Sequence, residues 1–366
     1  MRTNQQVFFG DSRDMSRVKS ESVNLVVTSP PYPMIEMWDD VFASCDESIK
    51  GVIAREAGWE AFEKMHRILD DVWRECFRVL APGGFACINI GNATRSMNGD
   101  FCFYPNNGRI LNAMVKLGMT PLPDILWRKP TNAPNKFMGS GMLPAGAYVT
   151  YEHEYIMMFR KGGKRVFSHE EKIRRSESAY FWEERNIWFS DLWYDVKGVK
   201  QVIDSEARER SAAFPLEIPY RLISMYSIYG DTVLDPFGGL GTTLITSAMT
   251  GRNGILFEKD EGLKKYIDQN IGTMPIFGKK TILNRLDKHC DFVRERINLG
   301  KNIEHKSLYY KFPVVTRQEC DIKFYLPKMI KNQLNTYLID YIFLDYMATT
   351  QASLEGVDIL SIFGEV

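Results

Sequence analysis

The chain has 366 residues, is 45% hydrophobic and 25% charged, and carries 46 basic against 46 acidic side chains. This is ordinary globular material, large enough for one sizeable α/β domain with additions. A zero net charge excludes a globally basic polyanion binder, so any nucleic-acid surface must be a local patch. The six cysteines (Cys45, Cys76, Cys87, Cys102, Cys290, Cys320) form no C-x-x-C pair. They read as reduced thiols without structural zinc, and no metal site is expected. The first residues are polar, and no run of about eighteen apolar residues occurs, so a cytoplasmic protein with no membrane partner is expected.

In chain order, the first apolar run is Val23–Val27, which reads as a buried parallel strand and leads into Thr28-Ser29-Pro30-Pro31-Tyr32. A helix with apolar residues three and four apart is expected from Trp59 to Leu80, ending at Pro82-Gly83-Gly84. The strand Phe85–Ile90 follows, then a helix from Gly108 to Leu117 and strands at Ile125–Arg128 and Tyr155–Phe159. Such alternation predicts a parallel sheet with crossover helices. The polar, glycine-bearing stretch Lys129–Gly141 is either a mobile element near a substrate or an ordinary long connection.

Between Arg160 and about Val202 the pattern breaks down. Eight lysines and arginines face five acids from Arg160 to Arg185, interleaved with Phe167, Tyr180, Phe181 and Trp182. The segment reads either as a solvated face or as an inserted recognition element. Regular patterning returns with a helix near Pro215–Tyr229, a strand ending at Leu234, a helix from Thr243 to Met249 and the strand Gly254–Phe257. Beyond Pro275 the chain reads as a helical, aromatic extension, with thirteen basic residues against six acids up to Asn335. That extension could bind DNA, dimerise the protein or cover the sheet.

Two loops carry the chemistry. In Asp235-Pro236-Phe237-Gly238-Gly239-Leu240-Gly241-Thr242-Thr243 the glycines allow a sharp turn and close approach of a ligand, and the following helix offers free N–H groups. A dinucleotide fingerprint beginning at Gly239 needs a glycine where Leu244 stands, and no Lys-Ser/Thr pair marks a P-loop. Glu258 ends the next strand about twenty residues on, where a carboxylate can accept from two ribose hydroxyls. In the first loop, Ser29 Oγ and the Pro30 carbonyl are acceptors suited to the hydrogens of an exocyclic amine, the prolines fix the turn, and Tyr32 offers a face for stacking. An amine of this kind is a poor nucleophile, because its lone pair is delocalised into the ring until such acceptors localise it.

This pair of loops, with the amino-group site first and the glycine loop second, resembles the permuted (β) class of S-adenosylmethionine-dependent DNA amino-methyltransferases. The resemblance rests on Thr28 to Tyr32, on Phe237, Gly239 and Gly241 as an F-x-G-x-G motif, and on Glu258. It implies a Rossmann-like three-layer α/β methyltransferase sheet in circularly permuted order over residues 1–274, with 160–202 as the inserted target-recognition segment and 275–366 as a C-terminal extension. It further implies S-adenosyl-L-methionine as cofactor, held by Asp11, Thr28, Phe214, Pro215, Asp235, Pro236, Phe237, Gly239, Gly241, Thr242 and Glu258. Asp235 is expected to face the methionine end, Asp11 the adenine, and Phe214-Pro215 to close over the methionine part. Arg210-Ser211 stands where many family members carry a histidine-proline pair.

Catalysis is assigned to Ser29, Pro30, Pro31 and Tyr32, acting on a nucleotide flipped out of double-stranded DNA. Serine with Pro-Pro-Tyr usually accompanies cytosine N4 in this family, and aspartate in its place adenine N6. Adenine N6, a non-catalytic DNA-binding subunit of a restriction complex, and an RNA or protein amide as substrate stay open. So do a cognate restriction endonuclease and a homodimeric assembly. No Pro-Cys pair is present, which argues against cytosine C5 chemistry.

Overall fold

A computed structural model of the chain describes residues 1–129, 138–197 and 214–344. Most of Lys129–Gly141, the pair Arg210-Ser211 and the end of the extension lie outside the described residues. Ten strands form one sheet: β1 (Arg2–Phe9), β2 (Val23–Thr28), β3 (Leu80–Ile90), β4 (Met119–Arg128), β5 (His153–Lys161), β6 (Leu192–Trp193), β7 (Thr232–Asp235), β8 (Asn253–Glu258), β9 (Tyr325–Gln333) and β10 (Thr336–Phe343). Their order is β6-β4-β5-β3-β2-β7-β8-β1-β10-β9. The five central strands β3, β2, β7, β8 and β1 are parallel, as near-continuous apolar runs require. β5 is antiparallel to both of its neighbours, so the sheet is mixed rather than purely parallel.

The helices are α1 (Asp39–Ala43), α2 (Ser48–Ala54), α3 (Gly58–Val79), α4 (Asn106–Lys116), α5 (His169–Glu177), α6 (Trp182–Trp188), α7 (Glu217–Tyr226), α8 (Thr242–Met249) and α9 (Lys264–Asn298). Alternate residues of the central strands point to opposite faces. Val26, Ile88 and Leu234 enter a core with α3 and α4. Leu25, Val27 and Val233 enter another with α7, and Val7 and Leu256 one with α8 and α9. The result is three layers, helices on both faces of the sheet.

Three expectations change. The strand after α3 starts at Leu80, so Pro82-Gly83-Gly84 lies in an irregular register shift between Val23↔Leu80 and Leu25↔Phe85. α9 runs unbroken through Pro275, so the change of character there falls inside a helix. The extension is also not wholly helical, since β10 pairs antiparallel with β1 and β9 closes a hairpin on it.

The segment from 160 to 197 begins at the amino-terminal edge of the parallel strands. Lys161 Nζ donates to the Phe77 and Leu80 carbonyls, and Arg165 pairs with Asp231 at 2.7 Å. Much of its aromatic content faces inward: Phe181, Trp188 and Trp193 are buried. Phe181 stacks on His289 of α9 with ring centroids 3.9 Å apart, and Glu184 pairs with Arg285 at 2.6 Å. Phe181 thus joins this segment to α9 and to Tyr310, Phe312 and Phe324, whereas Trp193 enters the core with Trp127 and α7.

Candidate active site

Strands β2 and β7 are neighbours, in register Val233↔Leu25 and Leu234↔Val26, so two loops some two hundred residues apart in sequence leave the sheet side by side at its carboxyl edge. This is where open α/β sheets bind ligands. Thr28 Oγ1 donates to Asp235 Oδ1 at 2.6 Å, and the Phe237 N–H donates to the same oxygen at 3.0 Å. Asp235 is buried, and burial pushes its carboxyl up to about 6 against the hold of these donors. The Thr243 side chain is a third donor to the same carboxyl.

The glycine loop is shaped by steric need. Gly241, at φ +82°, caps α8 in a left-handed conformation, and a Cβ on Gly238 would meet Leu256 Cγ at 2.2 Å. The Gly239 N–H donates to Glu258 Oε2 at 2.7 Å, while the Asp260 N–H donates to Oε1 at 2.8 Å. Burial holds the Glu258 carboxyl above its ordinary value. Because β1 lies beside β8, the Gly10 N–H reaches the Glu258 carbonyl at 2.8 Å and brings Asp11 to the same edge. Asp11 makes a two-pronged pair with Arg13, whose guanidinium holds the carboxyl below its usual range.

At the first loop, Ser29 Oγ lies 3.1 Å from the Tyr32 hydroxyl, which donates to Glu154 Oε2 at 2.8 Å. Asn89 Nδ2 donates to that carboxylate oxygen at 2.7 Å and to the Tyr32 oxygen at 2.8 Å. Lys129 Nζ holds the other oxygen, Glu154 Oε1, at 2.9 Å. Burial first, and then the adjacent Glu154 carboxylate, push the Tyr32 phenol well above its ordinary value, so it stays a neutral donor.

A single cavity of about 730 Å³ joins these groups, a size suited to a nucleotide-like ligand. Asp11, Ser29, Pro30, Pro31, Tyr32, Phe214, Pro215, Asp235, Pro236, Phe237, Gly239, Thr242 and Glu258 all line it. Thr28 and Gly241 stand one layer behind: Thr28 braces Asp235, and Gly241 packs beside Ile267. One wall comes from the stretch around Ile35, Trp38 and Phe42, pinned by Arg95 to Asp39 at 2.9 Å and by Lys259 Nζ to Ser44 Oγ at 3.0 Å.

Sequence reasoning missed Asn89 and Glu154, and met Lys129 only as the first residue of a stretch read as a mobile element near a substrate or an ordinary connection. Asn89 was findable as a polar residue near the carboxyl end of an apolar strand. Glu154 was not, because the alternation of strands and helices predicts a parallel direction for its strand; in β5 the direction is reversed, and its amino end meets the site.

Residues 23–269 match the family model described as DNA methylase, the N6/N4 methyltransferase family. Over 339 residues the chain is 49% identical to the type II methyltransferase M.MthZI of Methanothermobacter thermautotrophicus, covering 92% of this chain and 94% of the relative. It is likewise 49% identical to the type II methyltransferase M.MjaI of Methanocaldococcus jannaschii, over 74% of this chain and 92% of that one. Among solved structures, it is similar to TTHA0409 of Thermus thermophilus, described as a putative DNA modification methylase and complexed with S-adenosyl-L-methionine. That match has a TM-score of 0.58 at 32% identity, covering 74% of this chain and 95% of the other. With the two loops meeting in one cavity and these matches spanning most of its length, the chain belongs to the N6/N4 family of S-adenosylmethionine-dependent DNA methyltransferases.

Proposed function

We propose that the chain is a site-specific modification enzyme of the type II restriction-modification kind, which methylates the exocyclic N4 of a cytosine flipped out of double-stranded DNA. The observation that carries this reading is the joining of Ser29-Pro30 and Asp235 in one cavity. The choice of cytosine follows from serine at position 29 and the Pro-Pro-Tyr that follows. The names of the two 49% identical relatives support the type II setting.

The cavity residues fit the cofactor. Asp235 lines the cavity as a buried carboxyl held by Thr28, Thr243 and the Phe237 N–H, and would accept from the ammonium of a methionine moiety. Glu258 would hold the ribose hydroxyls, while Phe237 and Phe214 would supply apolar walls. When bound, S-adenosylmethionine supplies a methyl group activated on a sulfonium. Ser29 Oγ and the Pro30 carbonyl accept from the amine, drawing its lone pair out of the ring, and the prolines hold them in place without reorganisation. Outside the cavity lining, exposed Phe101 stacks on Tyr148 at 4.7 Å and exposed Phe103 packs against Tyr151, aromatic surfaces of the kind that unpaired bases use.

The test is expression in a host lacking DNA methylation, followed by single-molecule sequencing of its genome. The N4-methylcytosine signature at one short sequence, absent with Ser29→Ala, is the expected result. The N6-methyladenine signature would overturn the choice of base.

A further inference from the structure

The hydrogen bonds behind Ser29 have a direction. Glu154 Oε2 is an acceptor when ionised, so the Tyr32 O–H points to it, and the Asn89 amide must turn its nitrogen toward both. The Tyr32 oxygen is then left to accept, and the group placed to donate from the substrate side is the Ser29 hydroxyl at 3.1 Å. Lys129 holds Oε1 from a side chain 54% exposed, while the Glu154 side chain is only 11% exposed. The chain of contacts thus runs from the amino-group site to the solvent edge of the cavity.

Resting on the reading above, we propose that Ser29, Tyr32 and Glu154 form a proton relay that relieves the reacting amine of its proton, with Glu154 as terminal acceptor. An exocyclic amine that gains a methyl group carries one proton too many and a positive charge. In the relay its N–H bond breaks as Ser29 Oγ takes the proton. The Ser29 proton passes to the Tyr32 oxygen, and the Tyr32 proton passes to Glu154 Oε2. One N–H and two O–H bonds break, three O–H bonds form, and the products are a neutral methylated amine and a glutamic acid. Water at the Lys129 edge then takes the proton. Glu154 acts through Tyr32 and Ser29, and is therefore a positioning and proton-storing residue that does not touch the base.

The experiment is single-turnover methylation of unmethylated phage DNA by the full chain, with Tyr32→Phe, Glu154→Gln, Glu154→Asp and the Tyr32→Phe/Glu154→Gln pair. Cofactor affinity is measured alongside by calorimetry. Tyr32→Phe and Glu154→Gln are each expected to slow transfer roughly 10- to 100-fold, the range of a lost acid–base contribution, with cofactor affinity unchanged. The pair is expected to be no slower than the worse single variant, because both cut one path. Glu154→Gln is expected to gain a larger solvent deuterium isotope effect than the unmodified chain, and Glu154→Asp to restore part of the rate. Unmodified rates in both single variants, additive losses in the pair, or an unchanged isotope effect would each overturn the relay while leaving the proposed activity intact. Absence of base methylation by the unmodified chain, with cofactor bound, would overturn the activity and the relay with it.

Discussion

At the residue scale, Asp235 shows how a site holds a charge the fold does not favour. Its folded value of about 6 lies above its ordinary 3.8, because burial opposes ionisation more than Thr28, Phe237 and Thr243 support it. A carboxyl raised on folding binds its proton more tightly in the native state. Its contribution to stability is therefore fully present below 3.8 and is lost as pH rises through about 6, a cost on the order of 3 kcal/mol in the ligand-free protein. Asp235→Asn keeps an oxygen for these donors and removes the charge. It is expected to raise the unfolding free energy at pH 8 by on the order of 2 kcal/mol in denaturant titrations, and to weaken S-adenosylmethionine binding at least tenfold. A loss of stability instead would show that the amide fails to serve the donors from Thr28, Thr243 and Phe237. For the unmodified chain, calorimetry is expected to find cofactor affinity falling as pH drops through about 6. Asp235 and Ser29 were legible in the sequence because each follows an apolar strand and sits in a short motif. The pairing of Glu154 with Lys129 was not, since no local pattern marks residues that meet only through β5's reversed direction.

At the element scale, the glycine loop is held by packing against β8. The 2.2 Å approach of a Gly238 Cβ to Leu256 means that Gly238→Ala must push the loop away from the strand or displace Leu256. The expected cost is about 1–3 kcal/mol of stability, with weakened cofactor binding as the Gly239 N–H leaves Glu258. Calorimetry and thermal melts check both, and unchanged values would mean that Leu256 yields freely. The central strands were readable because parallel strands buried on both faces are unbroken apolar runs. The described part of the 160–202 segment, residues 160–197, was harder: its basic and aromatic residues read either as a solvated face or as a recognition element. In the fold, Phe181, Trp188 and Trp193 are interior, and Arg165 is committed to Asp231 and Glu171.

At the scale of the whole molecule, the extension completes the sheet. β10 covers the edge of β1, with Thr3 Oγ1 and the Tyr341 hydroxyl 2.8 Å apart and the Tyr341 hydroxyl donating to the Ala248 carbonyl at 2.5 Å. A chain ending at Gly300 would leave β1 as an open parallel-sheet edge. It is expected to aggregate in size-exclusion runs where the full chain does not, and a monodisperse truncated protein with an unchanged melting temperature would contradict this. These strands hid in the sequence because Tyr325–Gln333 contains Pro327 and four polar or charged residues, a composition that only an edge strand tolerates. No helix among the described residues is long and apolar enough to cross a membrane.

In the proposed function, this one cavity brings S-adenosylmethionine and a cytosine amine together. The most direct measurement incubates the purified chain with unmethylated DNA and S-adenosylmethionine carrying a trideuterated methyl group, then digests the DNA and weighs its nucleosides. Trideuterated N4-methylcytosine is expected, abolished by Ser29→Ala. Labelled N6-methyladenine would overturn the choice of base, and no labelled nucleoside despite bound cofactor would show that the cavity does not methylate DNA.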